Sequence, residues 1–137
     1  MDSLVNYSLQ VNEISFVKHQ IVGESFNVDP KISRTITPVD ADKAAVTYVL
    51  QIINTPEHPF PVDIVVSITG VFDVGKIEPK SVDDFLKIQT CQILLPHIRS
   101  IVSTLTSSAL MPPLMLPIVD ARKLFPEDKE LDNNEKE

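Results

Sequence analysis

The sequence is poor in the residues on which catalysis, phosphate binding and disulfide bonds depend. It contains one cysteine, three glycines and three histidines in 137 residues. One cysteine excludes an internal disulfide and fits a reducing compartment. So few glycines leave no glycine-rich loop for a nucleotide phosphate. These absences argue against an enzyme.

Positive charge and long apolar runs are also scarce. Twelve Lys and Arg face nineteen Asp and Glu, and the net charge of −7 argues against a nucleic-acid partner. No apolar run approaches the roughly 20 residues of a membrane span. The first residues, Met1-Asp2-Ser3-Leu4, lack the basic region of a signal peptide. We therefore expect a cytoplasmic protein.

The few reactive side chains do not combine into a site. Cys91 and His97 are six residues apart, so a helix would place them on different faces. Asp40-Ala41-Asp42 lacks the glycine and the later glutamate of a calcium loop. We expect no catalytic residue, no metal and no cofactor.

Four segments with alternating apolar and polar residues precede any helical pattern. In the first segment the apolar frame switches after Val11, which predicts a β-bulge near Asn12-Glu13. Asp29-Pro30 should interrupt the second segment. Short turns between strands, with helices only afterwards, indicate an α+β fold with a four-stranded antiparallel sheet. The predicted strands cover residues 4–17, 25–37, 45–54 and 61–74.

Helical patterns follow the strands. Ser81 with Asp83 and Asp84 predicts the start of a short helix that runs to about Gln89. A long amphipathic helix comes next, and Pro96 either lies in its first turn or kinks it. Its apolar stripe should cover the sheet and comprises Leu94, Leu95, Ile98, Ile101, Val102, Leu105 and Ala109.

The opposite face of the long helix carries small hydroxyl residues instead of the usual lysine and glutamate. Small side chains allow another helix to approach closely, but the same face could also be simply solvated. The sequence leaves both interpretations open. The residues of this hydroxyl face are Ser100, Ser103, Thr104, Ser107 and Ser108.

An apolar segment, Leu110–Pro117, follows the long helix, and we call it the crossover. Its three prolines exclude regular structure, yet its other residues are large and apolar. Such a segment either packs on the domain core or contacts an apolar partner. A short second helix is predicted over Val119–Phe125. Residues 1–126 should form one domain, with 127–137 a disordered acidic tail.

These segments resemble the SecB export chaperones. Residues 93–99 are similar to the family's I-L-[FL]-P-x-x-R helix, residues 112–116 to its P-x-L-x-L crossover, and residues 119–125 to its V-x-x-D-A-L-F helix. Glu13–Phe16 resembles the family's D-I-S-F, and Gly70–Phe72 its G-I-F. The resemblance covers residues 7–125 and has no gap between the long helix and the second helix.

The resemblance implies an ATP-independent holdase that binds unfolded or pre-secretory chains and assembles as a homotetramer, a dimer of dimers. The hydroxyl face would then be the subunit interface. Alternatives are a SecB-like chaperone outside export, such as one that protects a labile antitoxin, and an adaptor for one folded partner. The implied client groove comprises Ile32, Ile36, Leu110, Met111, Leu114, Met115, Leu116, Leu124 and Phe125.

Family members that dock the SecA motor use an acidic patch on the outer face of the sheet. Glu13 matches one of these acids, while Asp63 stands where the family has an apolar residue. Two further acidic positions of the family align with Val17 and Val65. The implied docking surface for SecA is therefore reduced to Glu13 and Asp63.

Overall fold

A computed structural model describes residues 5–19, 28, 30–116 and 121–125. In this part of the chain, four strands form one antiparallel sheet in the order β1-β4-β3-β2. Helices follow the strands, so the prediction of an α+β fold is confirmed. The strands are β1 (Tyr7–Lys18), β2 (Lys31–Pro38), β3 (Lys43–Ile52) and β4 (Val62–Asp73).

Each strand lies close to its predicted position except the second. β2 begins at Lys31, directly after Pro30, whose nitrogen cannot donate to a sheet ladder. Residues 25–27 and 29 of the predicted strand lie outside the described residues. The predicted tail, 127–137, also lies outside them.

The predicted bulge in β1 is confirmed. Val11 pairs with Ile68 and Glu13 with Ser67, so Asn12 is the extra residue. Its side-chain amide donates to Thr69 Oγ1 at 2.6 Å on the outer face of the sheet. The bulge keeps Ile14 on the same face as Val11, which is why the apolar frame of the sequence switches at this point.

The core lies between the sheet and the long helix. One face of β3 and β4 is almost fully buried, as the alternation predicts, through Val46, Tyr48, Leu50, Ile52, Val62, Ile64, Val66 and Ile68. Gly70 continues this face, and a Cβ there would lie 2.6 Å from Cε2 of Phe72. Any other residue at position 70 would therefore force the Phe72 ring to shift.

The helices form one longer run than the sequence indicated. α1 (Pro79–Asp84) leads through a π-helical turn (Phe85–Gln89) into α2 (Thr90–Ser108), and α3 (Ala121–Leu124) follows the crossover. The prediction of a start at Ser81 is wrong, because Pro79 occupies the first turn, where its missing N–H costs nothing. Pro96 lies inside α2 rather than at its start.

α2 packs against β4 and β3, at the middle of the sheet. The edge strand β1 therefore keeps part of its apolar inner face in solvent. Tyr7, Val11 and Ile14 are exposed there, although they share the face that the helix covers.

Asp63 ties β1 to the β3–β4 loop. Its carboxylate accepts the backbone N–H of Asn54 at 2.7 Å and lies 2.9 Å from Nε2 of His19. These contacts hold the pKa of Asp63 below its usual value, chiefly through the Asn54 hydrogen bond and with help from His19. The contribution to stability is present above the unfolded pKa, about 3.9, and is lost as the pH falls through the lower folded pKa.

We expect Asp63→Asn to lower the free energy of unfolding by about 1–2 kcal/mol at pH 7, because hydrogen bonds to a charged, partly exposed group are of this order. The difference from the wild type should shrink below about pH 4. Urea titrations at pH 7 and pH 3 measure it, with Glu57→Gln in the neighbouring loop as the control. A difference of the same size at both pH values would contradict the assignment.

Candidate functional site

The crossover starts with a tight turn at the end of α2. The N–H of Leu110 donates to the carbonyl of Ser107 at 3.0 Å, and the N–H of Met111 donates to that of Thr106 at 3.1 Å. This pair of bonds is a Schellman motif, which places Leu110 in the left-handed conformation with φ of 61°. Leucine adopts this conformation at a cost of about 1–2 kcal/mol.

Three polar side chains of α2 then hold the crossover alongside the helix. Thr106 Oγ1 accepts the N–H of Leu114 at 2.8 Å, and Arg99 Nε donates to the carbonyl of Leu116 at 3.2 Å. Between them, Ser103 Oγ lies 3.6 Å from Met115 Sδ. Arg99, Ser103 and Thr106 lie on one side of the helix, since they are spaced by four and three residues. We call them the tether stripe.

The tethers leave the crossover side chains with very different exposures. Leu116 is 8% exposed and belongs to the core, whereas Met115 is 71% and Leu110 is 95% exposed. Met111 and Leu114 are partly buried. One end of the crossover therefore packs on the domain, while Leu110 and Met115 present apolar side chains to solvent.

A small apolar pocket of about 50 Å³ lies between β2, α2 and the buried end of the crossover. Among the described residues that line it, Arg99 alone is charged. The predicted groove residues Ile32 and Leu116 are part of its wall. Sequence reasoning missed the others, partly because it assigned Leu95 and Ile98 to packing on the sheet. The full lining is Pro30, Ile32, Leu50, Leu95, Ile98, Arg99 and Leu116.

Phe125 anchors the second helix in the core. It is buried against Tyr48, with ring centroids 6.3 Å apart, and the guanidinium of Arg34 lies 4.2 Å from its ring centroid. Arg34 Nη1 also donates to the carbonyl of Lys87 in the π-helical turn at 3.5 Å. Arg34 was missed in the sequence, although it interrupts the Ile32–Ile36 frame on the inner face of β2.

Two other predicted groove residues, Leu124 and Ile36, are less buried than Phe125. Leu124 and Ile36 are partly buried and pack against the core without being enclosed by it. The Tyr48 hydroxyl, in the core, lies 3.2 Å from Thr90 Oγ1. Burial raises the pKa of Tyr48, so the phenol stays neutral at physiological pH.

The hydroxyl face of α2 is mostly open. Ser100, Thr104, Ser107 and Ser108 are exposed, whereas Ser103 is half-buried against Met115. Thr106, which the sequence analysis placed on neither face, is buried and bonds to the carbonyls of Val102 and Ser103. The sequence feature that could have identified Thr106 is its position, three residues after Ser103 and seven after Arg99, on the same side of the helix.

The two predicted docking acids lie apart on the outer face of the sheet. Glu13 is exposed opposite Ser67, while Val17 is the residue opposite Asp63. The acids are thus four residues apart along the strands, or about 13 Å. Asp63 is also engaged by Asn54 and His19, as described above.

Other types of site find no support in the part of the chain that the structure describes. No group of three or more His, Cys, Asp or Glu side chains comes together there as a metal site. None of the helices within that part has the length and apolarity to cross a membrane.

The fold is similar to that of a solved SecB-like chaperone. This is the Mycobacterium tuberculosis Rv1957 SecB-like chaperone in complex with a ChAD peptide from the Rv1956 HigA1 antitoxin, with a TM-score of 0.70 and 15% identity. The match covers 85% of this chain and 91% of that one. At this identity the likeness concerns the fold alone.

Two curated relatives match parts of the sequence. The Protein-export protein SecB of Anaplasma phagocytophilum is 35% identical over 68 residues, which is 47% of this chain and 42% of the relative. The uncharacterized protein MJ0357 of Methanocaldococcus jannaschii is 32% identical over 79 residues, 56% of this chain and 51% of the relative. The matches thus span about half the length of these relatives.

The sequence profile of one family covers most of the chain. It is described as the preprotein translocase subunit SecB, and it matches residues 10–131. This range includes the sheet except for the first three residues of β1, and it includes the long helix, the crossover and the second helix. The chain belongs to the SecB family.

Proposed function

We propose that this protein is an ATP-independent holdase that binds unfolded polypeptides along the crossover and the adjoining pocket. The observation that carries the proposal is the exposed apolar surface of a crossover whose backbone is tied to α2. Met115 is exposed although the neighbouring Leu114 and Leu116 are hydrogen-bonded in place through their backbones. No charged residue occurs between Arg99 and Asp120, so the segment suits an apolar client.

SecB-family chaperones are not enzymes. In a holdase that uses no ATP, the free energy of client binding comes mainly from the burial of apolar surface. Each well-buried leucine or phenylalanine of a client contributes about 1.5–3 kcal/mol. Contacts of this kind, repeated along one long client and over several subunits, give tight binding with little sequence specificity.

A holdase should suppress the aggregation of several unrelated proteins as they unfold, without ATP. We expect equimolar protein to reduce light scattering from at least three chemically or thermally unfolded clients. Lysozyme at the same concentration is the control. Capture of one native protein with no effect on any unfolded client would instead favour the adaptor alternative and reject the holdase.

The crossover should separate stability from binding. Truncation of buried Leu116 to Ala should lower the free energy of unfolding by about 2–5 kcal/mol. Met115→Ser should change it by less than about 0.5 kcal/mol, because the side chain is exposed, but should weaken binding of reduced, carboxymethylated α-lactalbumin. Urea titration and fluorescence anisotropy measure the two effects.

The control for Met115 is Val39→Ser, which alters an exposed apolar residue in the turn between β2 and β3. It should leave binding unchanged. Met115→Ser could instead lose stability while its folded fraction binds the client as tightly as the wild type. The crossover would then only stabilise the domain, and its assignment to the client groove would be wrong.

We further propose a cytoplasmic homotetramer, a dimer of dimers. Two described surfaces support association. One is the hydroxyl face, where Ser100, Thr104 and Ser107 are exposed and uncharged. The other is the inner face of the edge strand β1, where Tyr7 and Ile14 are exposed. The hydroxyl face carries no charged residue, and on the inner face of β1 the charged residue is Lys18, at the very end of the strand. Charged residues commonly protect a monomer from self-association.

Arginines at Ser100 and Ser107, which are two helical turns apart on the hydroxyl face, should split the assembly, because buried unpaired charges oppose association. Multi-angle light scattering should show a smaller particle for the double variant. Ser33→Arg with Thr37→Arg, both exposed on β2, adds the same charge elsewhere as a control. A monomeric wild type at micromolar concentration would contradict the proposal.

Docking of SecA on the outer face of the sheet would distinguish a role in export from other roles. Docking to SecA would depend on Glu13 and Asp63, yet Asp63 is engaged inside the subunit and Val17 and Val65 stand at the other acidic positions. This favours a second candidate function outside export, such as protection of a labile antitoxin. The structural relative that carries an antitoxin peptide supports the same candidate.

A further inference from the structure

The short helix α3 depends on its contacts with the rest of the domain. It comprises Ala121–Leu124, and a helix of four residues is not stable by itself in water. Within the described residues, α3 contacts the π-helical turn, and the residue that follows it, Phe125, is buried in the core. The contacts of Phe125 are therefore important for keeping α3 docked.

Arg34 connects β2, the π-helical turn and the end of α3. Its guanidinium lies 4.2 Å from the centroid of the Phe125 ring, and its Nη1 donates to the Lys87 carbonyl at 3.5 Å. Arg34 also pairs across the strands with Tyr48, whose ring centroid lies 6.3 Å from that of Phe125. The Phe125 ring thus lies against both residues of one cross-strand pair.

The packing of β2 alone does not explain a cation at position 34. The neighbours of Arg34 on the inner face of the strand are Ile32 and Ile36, and all three side chains are half-buried. A charge on a packed face lowers stability unless other groups compensate it. An apolar residue would fill the same place, whereas a guanidinium can contact an aromatic ring and a carbonyl at once.

We propose that Arg34 is a positioning residue that keeps α3 docked, and that loss of its contacts releases α3 without unfolding the sheet. Ile32 and Leu50, which line the apolar pocket, lie two residues from Arg34 and Tyr48 along their strands. Release of α3 would extend the open apolar face from the pocket to Tyr48, by about 7 Å. The value of this extension for client binding rests on the proposed holdase function, whereas the docking of α3 does not.

Trypsin digestion measures the release of α3, because Arg122 and Lys123 lie within this helix. The cleavage rate follows the population of the opened form when reclosing is fast. Arg34→Met removes the charge and keeps a flexible apolar side chain. We expect it to speed cleavage after Arg122 and Lys123 about tenfold, through the combined loss of a cation–π contact and a hydrogen bond. Cleavage after Arg99, inside α2, should keep its rate, because it requires unfolding of the long helix.

Three further variants test how Arg34 acts. Arg34→Lys keeps the charge but has no planar group for the ring and the carbonyl together, so its rate should lie between those of the wild type and Arg34→Met. In a Phe125→Leu background, Arg34→Met should have a smaller effect, because the ring is already absent. Lys31→Met removes an exposed cation from the same strand and is the matched control, which should leave both cleavage rates unchanged.

Two results of the digestion would overturn the proposal. Equal acceleration after Arg99 and within α3 would show that Arg34 only stabilises the domain as a whole. A wild-type rate for Arg34→Met would show that other contacts hold α3.

Client binding is measured separately on the same variants. Arg34→Met should bind reduced, carboxymethylated α-lactalbumin more tightly than the wild type does, because more apolar surface is open. Faster release of α3 with unchanged affinity would reject the link between α3 and the client groove. If the wild type binds no unfolded client, the holdase proposal fails, while the digestion still decides the role of Arg34.

Discussion

The candidate site depends on a few hydrogen bonds between helix side chains and the backbone of a loop. Thr106 accepts from the Leu114 N–H, and Arg99 donates to the Leu116 carbonyl. A loop is usually fixed by burying its own side chains. Here polar groups of α2 fix part of the loop through its backbone, so Leu110 and Met115 can remain exposed. The same helix fills the core with its other face, so one element supports both the fold and the site.

The sheet could be predicted from the sequence, whereas the path of the crossover could not. Alternation in β3 and β4 records burial directly, and the frame switch at Asn12 records a bulge, so the sheet was predictable. The path of the crossover was not, because its prolines exclude regular structure without saying where the segment lies. Thr106 and Arg99 could have suggested it, since they share a side of α2 with Ser103, but polar residues on a helix are ordinarily solvated.

Some residues around the candidate site could be named from the sequence, because they are apolar residues in β2 and the crossover. Leu116 and Ile32 do line the apolar pocket, and Leu110 and Met115 are exposed. Arg34 was beyond reach, because its role depends on Phe125, ninety-one residues away, and on a carbonyl of the π-helical turn. Contacts between such distant segments leave no periodic signal in a single sequence.

The π-helical turn at Phe85–Gln89 sets the phase of the whole helical run. A π turn holds one residue more than an α turn, so everything before it is rotated by about 100° relative to an ideal helix. Phe85 is the first residue of this turn, and its ring lies edge-on to that of Phe72, with centroids 5.8 Å apart. A homologue that lacks one residue here can keep a regular helix or this contact with the sheet, but not both. A single-residue gap near position 87 in an alignment would therefore indicate that the helix packs differently on β4, even in a homologue that shares all the family sequence motifs.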